Sequence, residues 1–227
     1  MKAIYYGHSS VELQLQGANV LLDPFISPNP QASHIDINTL QPDYILLSHA
    51  HEDHVADVAA IQKRTKAKVV AVVETAVWVG RQDIPGSEII SFNFGGTIQT
   101  DFGSAKMVYA LHTSGTPDGQ YGGVPVGYVL ESGGKKIYFA GDTALTLEMK
   151  LLAEIGLDWA FLPIGGYFTM DVADAITASR FINCKNIVGI HYDTFPPITI
   201  DKESAMKRFA DAGLNLHLLE IGAELTL

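Results

Sequence analysis

Apolar and polar residues alternate near the N-terminus: Val11, Leu13 and Leu15 against Glu12, Gln14 and Gln16, before Gly17-Ala18-Asn19 turns the chain into Val20-Leu21-Leu22. A period of two sends successive side chains to opposite faces, so residues 2 to 23 read as a small antiparallel sheet with one wet face. Asp23-Pro24 then opens a Pro- and Ser-rich loop through about residue 42, a length that usually marks a functional rim. Tyr44 to Leu47 is apolar on both faces and too short for a helix, which predicts a strand buried on both sides. Residues 55 to 64 carry an apolar stripe that runs into Gln62-Lys63-Arg64, a helix packing back on the sheet. Residues 68 to 73 form the next buried strand, closing a β-α-β unit whose right-handed crossover makes the pair parallel. With Ile90, Phe92 and Phe94 a second, half-exposed sheet region begins; strand runs follow at 96 to 111, 126 to 131 and 135 to 140, the last two joined by Ser132-Gly133-Gly134. Beyond residue 145, helices at 145 to 155, 171 to 183 and 201 to 212 alternate with strands at 159 to 164, 187 to 190 and 216 to 220. The order calls for an α/β fold of two mixed sheets flanked by helices, with antiparallel meanders in the middle and α/β units on both sides. No repeat or linker divides it, so residues 1 to 227 are expected to form a single domain.

Composition narrows the functions open to such a chain. Charged residues make up 18% and apolar ones 47%, the balance of a globular protein. Fifteen Lys and Arg against 25 Asp and Glu give −10, a charge that repels nucleic acid and anionic leaflets. Met1 to His8 lacks the apolar core of a signal peptide and no later run is long enough to span a bilayer, so a cytoplasmic protein without membrane insertion is expected. Cys184, the only cysteine, excludes an intrachain disulfide and a thiolate cage for a metal, and reads as a small core residue.

Chemistry concentrates where the buried run Tyr44 to Leu47 stops, at Ser48-His49-Ala50-His51-Glu52-Asp53-His54. Imidazole is the usual ligand for zinc-like ions, and a carboxylate among imidazoles lowers the net charge of the bound cation. His49 and His51, two apart in extended geometry, point the same way and suit one ion; Asp53 and His54 belong to the following turn and suit a second. His112, Asp142 and His191 each follow an apolar strand run, and Gly141 lets the chain turn tightly to expose the Asp142 carboxylate. A helix N-cap is the plainer role for Asp142, and an ordinary turn residue for His112.

His49-x-His51-x-Asp53-His54, followed in order by His112, Asp142 and His191, resembles the signature of the metallo-β-lactamase superfamily of binuclear hydrolases. The resemblance implies a four-layer αβ/βα sandwich and two divalent ions, zinc first and manganese next. One ion would be held by His49, His51 and His112, the other by Asp53, His54 and His191, with Asp142 between them and a shared hydroxide as the nucleophile. It further implies that Asp53 passes a proton to the leaving group, and that Asp23 orients the ligand histidines. His8, in Gly7-His8-Ser9-Ser10, is similar in place to a histidine of groups related to ascorbate-6-phosphate lactonases, where it would contact substrate or shuttle a proton; a turn histidine is the plainer reading. A zinc β-lactamase of the superfamily would carry a cysteine where Asp142 stands, and a flavo-diiron protein a glutamate in place of His51. A module that keeps its metals without turnover would carry the same ligands.

Two loops beside these ligands, Gly165 to Met170 and Tyr192 to Pro197, hold large apolar groups and neither Lys nor Arg. They suit a small ester, lactone, amide or phosphodiester, unless their aromatics pack beneath the loops or meet a second copy of the chain in a homo-oligomer. Trp78 and Trp159 read as core, His34 and His217 as a loop and a strand-face residue, and Gly119 to Gly123 as a rim without phosphate-loop spacing. The charge balance carries a prediction: a labelled single-stranded RNA should show no saturable anisotropy change with the protein at about 0.15 M salt.

Overall fold

In the computed structural model, which describes residues 1–227, the chain builds two seven-stranded sheets. The first contains β1 (Lys2–Gly7), β2 (Ser10–Gln14), β3 (Asn19–Leu22), β4 (Tyr44–Leu46), β5 (Lys68–Val72) and β6 (Ile89–Phe92), with β14 (Glu224–Thr226) on the β1 edge. β14, β1, β2 and β3 pair antiparallel, whereas β3, β4, β5 and β6 run parallel. The second sheet has the same plan: β7 (Thr97–Thr100), β8 (Gly103–Tyr109), β9 (Val126–Ser132) and β10 (Lys135–Phe139) are antiparallel, and β11 (Trp159–Pro163), β12 (Asn186–Ile190) and β13 (Asn215–His217) continue from β10 in parallel.

Strand periodicity explains the layers. Val11, Leu13, Val20, Leu22, Leu46 and Val70 from the first sheet meet Met107, Tyr128, Leu130, Ile137, Phe139, Phe161 and Val188 from the second, forming the core between the sheets. The alternate residues Leu21, Ile45, Leu47, Val69 and Ala71 face outward under α1 (Glu52–Val55), α2 (Val58–Thr65) and α3 (Val73–Gly80). Tyr138, Ala160, Leu162 and Ile187 do the same under α4 (Val172–Phe181) and α5 (Lys202–Asp211). This is the expected αβ/βα sandwich. Both long C-terminal helices start where the sequence supplies a cap: Asp171 accepts from the amides of Ala173 and Asp174, and Asp201 from that of Ser204.

Several elements differ from the sequence reading, each for a physical reason. The supposedly wet face of the first strands is covered, because the loop after Asp23 folds back over it; Glu12 is buried and accepts a hydrogen bond from the Tyr6 hydroxyl. The Asp57 carboxylate fixes that loop by accepting from the amides of Ile26 and Ser27. β6 closes the first sheet instead of opening the second, since its backbone pairs with β5. The run from 96 to 111 is a hairpin turning at Asp101-Phe102, not one strand. Residues 147–152 wind as a 3-10 helix, and the predicted helix at 55 to 64 is interrupted between α1 and α2. α3, directly after β5, and the C-terminal β14 carry no periodicity long enough to announce them. Trp78 is buried as expected, and Trp159 is half-buried with its ring 5.1 Å from that of His217. No helix is long and apolar enough to cross a membrane.

Phe209, fully buried on α5, is the test of the outer layer. Phe209→Ala should lower the free energy of unfolding by about 3–5 kcal/mol, read as a shift of the denaturation midpoint at unchanged slope.

Candidate metal centre

The ends of β1, β3, β4, β8, β10 and β12 converge on one edge of the sandwich, and each is followed within three residues by a chemically active side chain: His8, Asp23, His49, His112, Asp142 and His191. The backbone is bent hard to aim some of them. His8, Asp23 and His191 hold φ values of 54, 44 and 55°, a region side chains avoid and that clusters at functional sites. Gly141 has φ +60°, and a Cβ there would stand 2.6 Å from the Cβ of Ser48, so only glycine lets β10 deliver Asp142 beside β4.

Three hydrogen bonds converge on the fully buried Asp23 carboxylate: from the Ser48 amide at 2.7 Å, from the Ser48 hydroxyl, and from His54 Nδ1 at 2.8 Å. Because Nδ1 of His54 donates to Asp23, Nε2 is the ring nitrogen left to face the rest of the site. That nitrogen is buried, has no hydrogen-bond partner, and lies 3.4 Å from Asp142 Oδ2 and 4.0 Å from Asp53 Oδ1. Asp142 Oδ2 is also 3.0 Å from His191 Nε2 and 3.5 Å from His112 Nε2, while Oδ1 is buried and unpartnered. On the other side His49 Nε2 and His51 Nδ1 are 2.9 Å apart, and His49 Nδ1 lies 2.9 Å from the Ser48 hydroxyl.

Electrostatics sharpen this picture. Burial, followed by the neighbouring His54, pushes His49 well below the ordinary imidazole range, and burial also lowers His51 and His112. His54 goes the other way: burial opposes its charge, but Asp142, Asp23 and Asp53 raise its pKa well above the ordinary value. Asp142 and Asp53 are held below the usual carboxylate range against the cost of burial, by His191 and His54 in the first case and by His54 and His8 in the second. Imidazoles kept neutral at His49, His51 and His112, beside a buried unpaired Asp142 oxygen and a His54 ring that the carboxylates pull toward its protonated form, make a dry donor set that calls for positive charge. It fits divalent cations.

Ligand atoms fall into two groups, each within 4.8 Å: His49, His51 and His112, and His8, Asp53, His54 and His191. These groups hold six of the seven residues singled out as ligands and add His8; the seventh, Asp142, lies between them, within 3.5 Å of His54, His112 and His191. His8 sits behind Asp53 and not on a cavity wall. It is 1% exposed, with Nε2 3.1 Å from Asp53 Oδ2 and Nδ1 3.0 Å from the Thr194 hydroxyl. Burial, then His191, lowers its pKa to about 4, so near neutral pH the ring is uncharged. Asp23, His49 and His54 also lie close enough to form a group, but the Asp23 oxygens are already spent on hydrogen bonds, which makes Asp23 an orienting residue. Asp142 is no helix cap; Thr146 caps the 3-10 turn that follows.

A cavity of about 360 Å³ opens onto the group, walled by His51, Asp53, His112 and Asp142 and by the apolar Phe168, Phe195 and Pro197. Both predicted loops thus reach it, but in part: Met170 is buried, and Tyr192 packs beneath its loop, parallel to Tyr5 at 6.3 Å. His34 is exposed and takes no part, and Cys184 is buried with its thiol pushed up to about 11 by burial. Sequence reasoning passed over Ser48, Thr143 and Thr194, which hold the site from behind. Thr143 accepts from the Leu111 amide and so ties the ends of β8 and β10 together. Only Ser48 had a signal, its place beside His49.

Comparison with known proteins agrees with this geometry. A family model described as a beta-lactamase superfamily domain matches residues 18–192. A UPF0173 metal-dependent hydrolase of Flavobacterium johnsoniae is 50% identical over 228 residues, covering 100% of both chains. The chain belongs to the UPF0173 metal-dependent hydrolases of the beta-lactamase superfamily. A Thermus thermophilus member is 43% identical over 98% of this chain and 97% of its own. Among solved structures, Igni18, a metallo hydrolase from the archaeon Ignicoccus hospitalis, superposes with a TM-score of 0.88 at 32% identity, covering 99% of this chain and 97% of that one. The chain is accordingly a metal-dependent hydrolase with the metallo-β-lactamase fold.

The Asp23 network yields a prediction. Asp23→Asn presents an amide where His54 Nδ1 now donates, so that ring loses its fixed tautomer. Metal affinity, measured by competition with a chromophoric chelator, should fall about 10–100-fold while the circular dichroism spectrum is unchanged.

Proposed function

We propose that this hydrolase works with two divalent cations on a small ester, lactone, amide or phosphodiester. The observation that carries the reading is the position of Asp142 Oδ2, 3.5 Å from an imidazole nitrogen of one ligand group and 3.0 and 3.4 Å from two of the other. A carboxylate there can serve both groups at once, which an imidazole cannot. His49, His51 and His112 would hold one cation and Asp53, His54 and His191 the other, with Asp142 shared. Imidazole with carboxylate suits zinc best, and manganese next. When bound, such cations polarise a carbonyl or phosphoryl oxygen and bring the pKa of water near neutrality.

The chain's own residues then have distinct duties. Asp23 and Ser48 fix the rings of His54 and His49. With His8 neutral, the Thr194 hydroxyl donates to Nδ1 and leaves Nε2–H to donate to Asp53, which holds that carboxylate in one orientation. Of the two carboxylates on the cavity wall, Asp53 is the more open, its side chain 29% exposed against 3% for Asp142, and is placed to take a proton from attacking water and give it to the leaving group. Phe168, Phe195 and Pro197 seat the rest of the substrate and exclude water from one side.

Elemental analysis and turnover of the same variants test this. Asp142→Ala should lose bound metal from both sites and more than about 100-fold in kcat/KM, whereas His8→Ala should keep more metal and lose less. Full metal and full turnover in Asp142→Ala would remove Asp142 from its shared position. A metal-replete Asp53→Asn should lose about 100-fold more rate with an alkoxide leaving group than with nitrophenolate; equal losses would leave Asp53 a ligand alone.

A further inference from the structure

Beyond the ligands, the cavity at the metal centre does not end. A second hollow of about 720 Å³ shares His51, His112 and Thr113 with it and passes Tyr109 and Tyr121. A third, of about 310 Å³, shares Phe94 and Tyr109 with the second. It runs over Met107, Val108 and Tyr138 of β8 and β10, and Leu151 and Leu152 of the 3-10 turn close its far side. Shared walls place the three side by side, as a trough from the metal centre past Tyr109 and Phe94 to Leu151. Lys106 and Glu148, of opposite sign, are the only charged residues around its far end.

Part of the apolar surface that the molecule leaves in water lines the trough. Leu151 is 80% exposed, Tyr121 68% and Phe94 47%, the last with its ring 6.2 Å from that of Tyr109. Contiguous apolar surface of this kind marks a binding face, and here it leads to reactive groups at one end.

We propose that the trough seats an apolar arm of the substrate, an acyl or alkyl chain. The scissile group lies at the metal centre and the chain runs past Tyr121, Tyr109 and Phe94 toward Leu151. The inference rests on the hydrolase reading above and specifies its substrate class. Hydrolysis adds one water across the scissile bond, leaving the arm on a carboxylate or phosphate and releasing an alcohol or amine, so no further reactant is required. The occupant is a chain of the substrate and not a second protein, because the hollow shares His51, His112 and Thr113 with the cavity at the metal centre.

Two measurements on the metal-loaded protein test this, each with a homologous series. The first is kcat/KM for 4-nitrophenyl esters from acetyl to octanoyl; the second is calorimetric affinity for non-hydrolysable alkylphosphonates from methyl to octyl. Each added methylene should raise both by about threefold. In Leu151→Glu, at an exposed position that does not disturb folding, the slope along each series, normalised to the variant's own shortest member, should flatten beyond the first few carbons. Esters without turnover but phosphonates with the full slope would support the trough while removing the ester reading of the function. Flat slopes in the unmodified protein would overturn the inference. So would an unaltered slope in Leu151→Glu accompanied by loss of a dimer in sedimentation, since the face would then belong to a second copy.

Discussion

The structure depends on a seam of hydrogen bonds that joins the two sheets along the edge where their active residues emerge. The His191 amide donates to the His8 carbonyl at 2.7 Å, the Val126 amide to the Ser48 carbonyl at 2.9 Å, and the buried Tyr128 hydroxyl to the Leu47 carbonyl at 2.8 Å. Sheets packed through side chains alone can slide by fractions of an ångström, and a ligand set cannot tolerate that. Here the main chain of one sheet is bonded to the main chain of the other within one or two residues of His8, His49 and His191. Cut off from water, these bonds are costly to leave unmade, so they fix the relative position of ligands that lie far apart in sequence.

What the seam holds together is electrostatically unstable by itself. Asp23, Asp53 and Asp142 lie among six imidazoles in a largely dry pocket, and the lowered pKa values of Asp53 and Asp142 with the raised one of His54 record how strongly the pocket draws positive charge. Asp23 differs in kind from the other two. Its oxygens are occupied by Ser48 and His54, so its charge acts through the His54 ring and not on whatever occupies the site. On the proposed reading, that division lets one carboxylate orient the His54 ring while the other two meet the cations, so that Asp23 would govern the affinity of the centre without holding a metal.

Much of this was legible in the sequence, because buried strands ending in histidine or aspartate are a local pattern. The apolar run at Tyr44 to Leu47 could be only a doubly buried strand, and the ligand positions followed from where such runs stop. The errors came from contacts that are not local. Whether Ile90 and Phe92 belong to the first sheet or the second depends on which backbone they pair with, and alternation is the same for both. Glu12 looks solvated in sequence because only the returning loop after Asp23 buries it. Thr194 and Thr143 carry no motif; they matter because remote strand ends place His8 and Leu111 beside them. The left-handed backbone at His8, Asp23 and His191 is invisible for the same reason, since the surrounding fold imposes it against local preference.

Charge and shape then select substrate by different means. With the proposed pair of cations, four positive charges would face the three carboxylates, leaving the centre about one unit positive in a chain of net charge −10. Such a centre attracts one developing negative charge at close range, while the rest of the molecule repels a chain of them. The cavity wall contributes Phe168, Phe195 and Pro197, and no Lys or Arg to bind a remote phosphate. On the proposed reading, recognition away from the reacting group is apolar, and the exposed Tyr121 and Phe94 are among the side chains that would supply it. On the same reading a polyanion is a poor substrate: a net charge of −10 opposes it at long range, and the cavity wall offers it no Lys or Arg at short range.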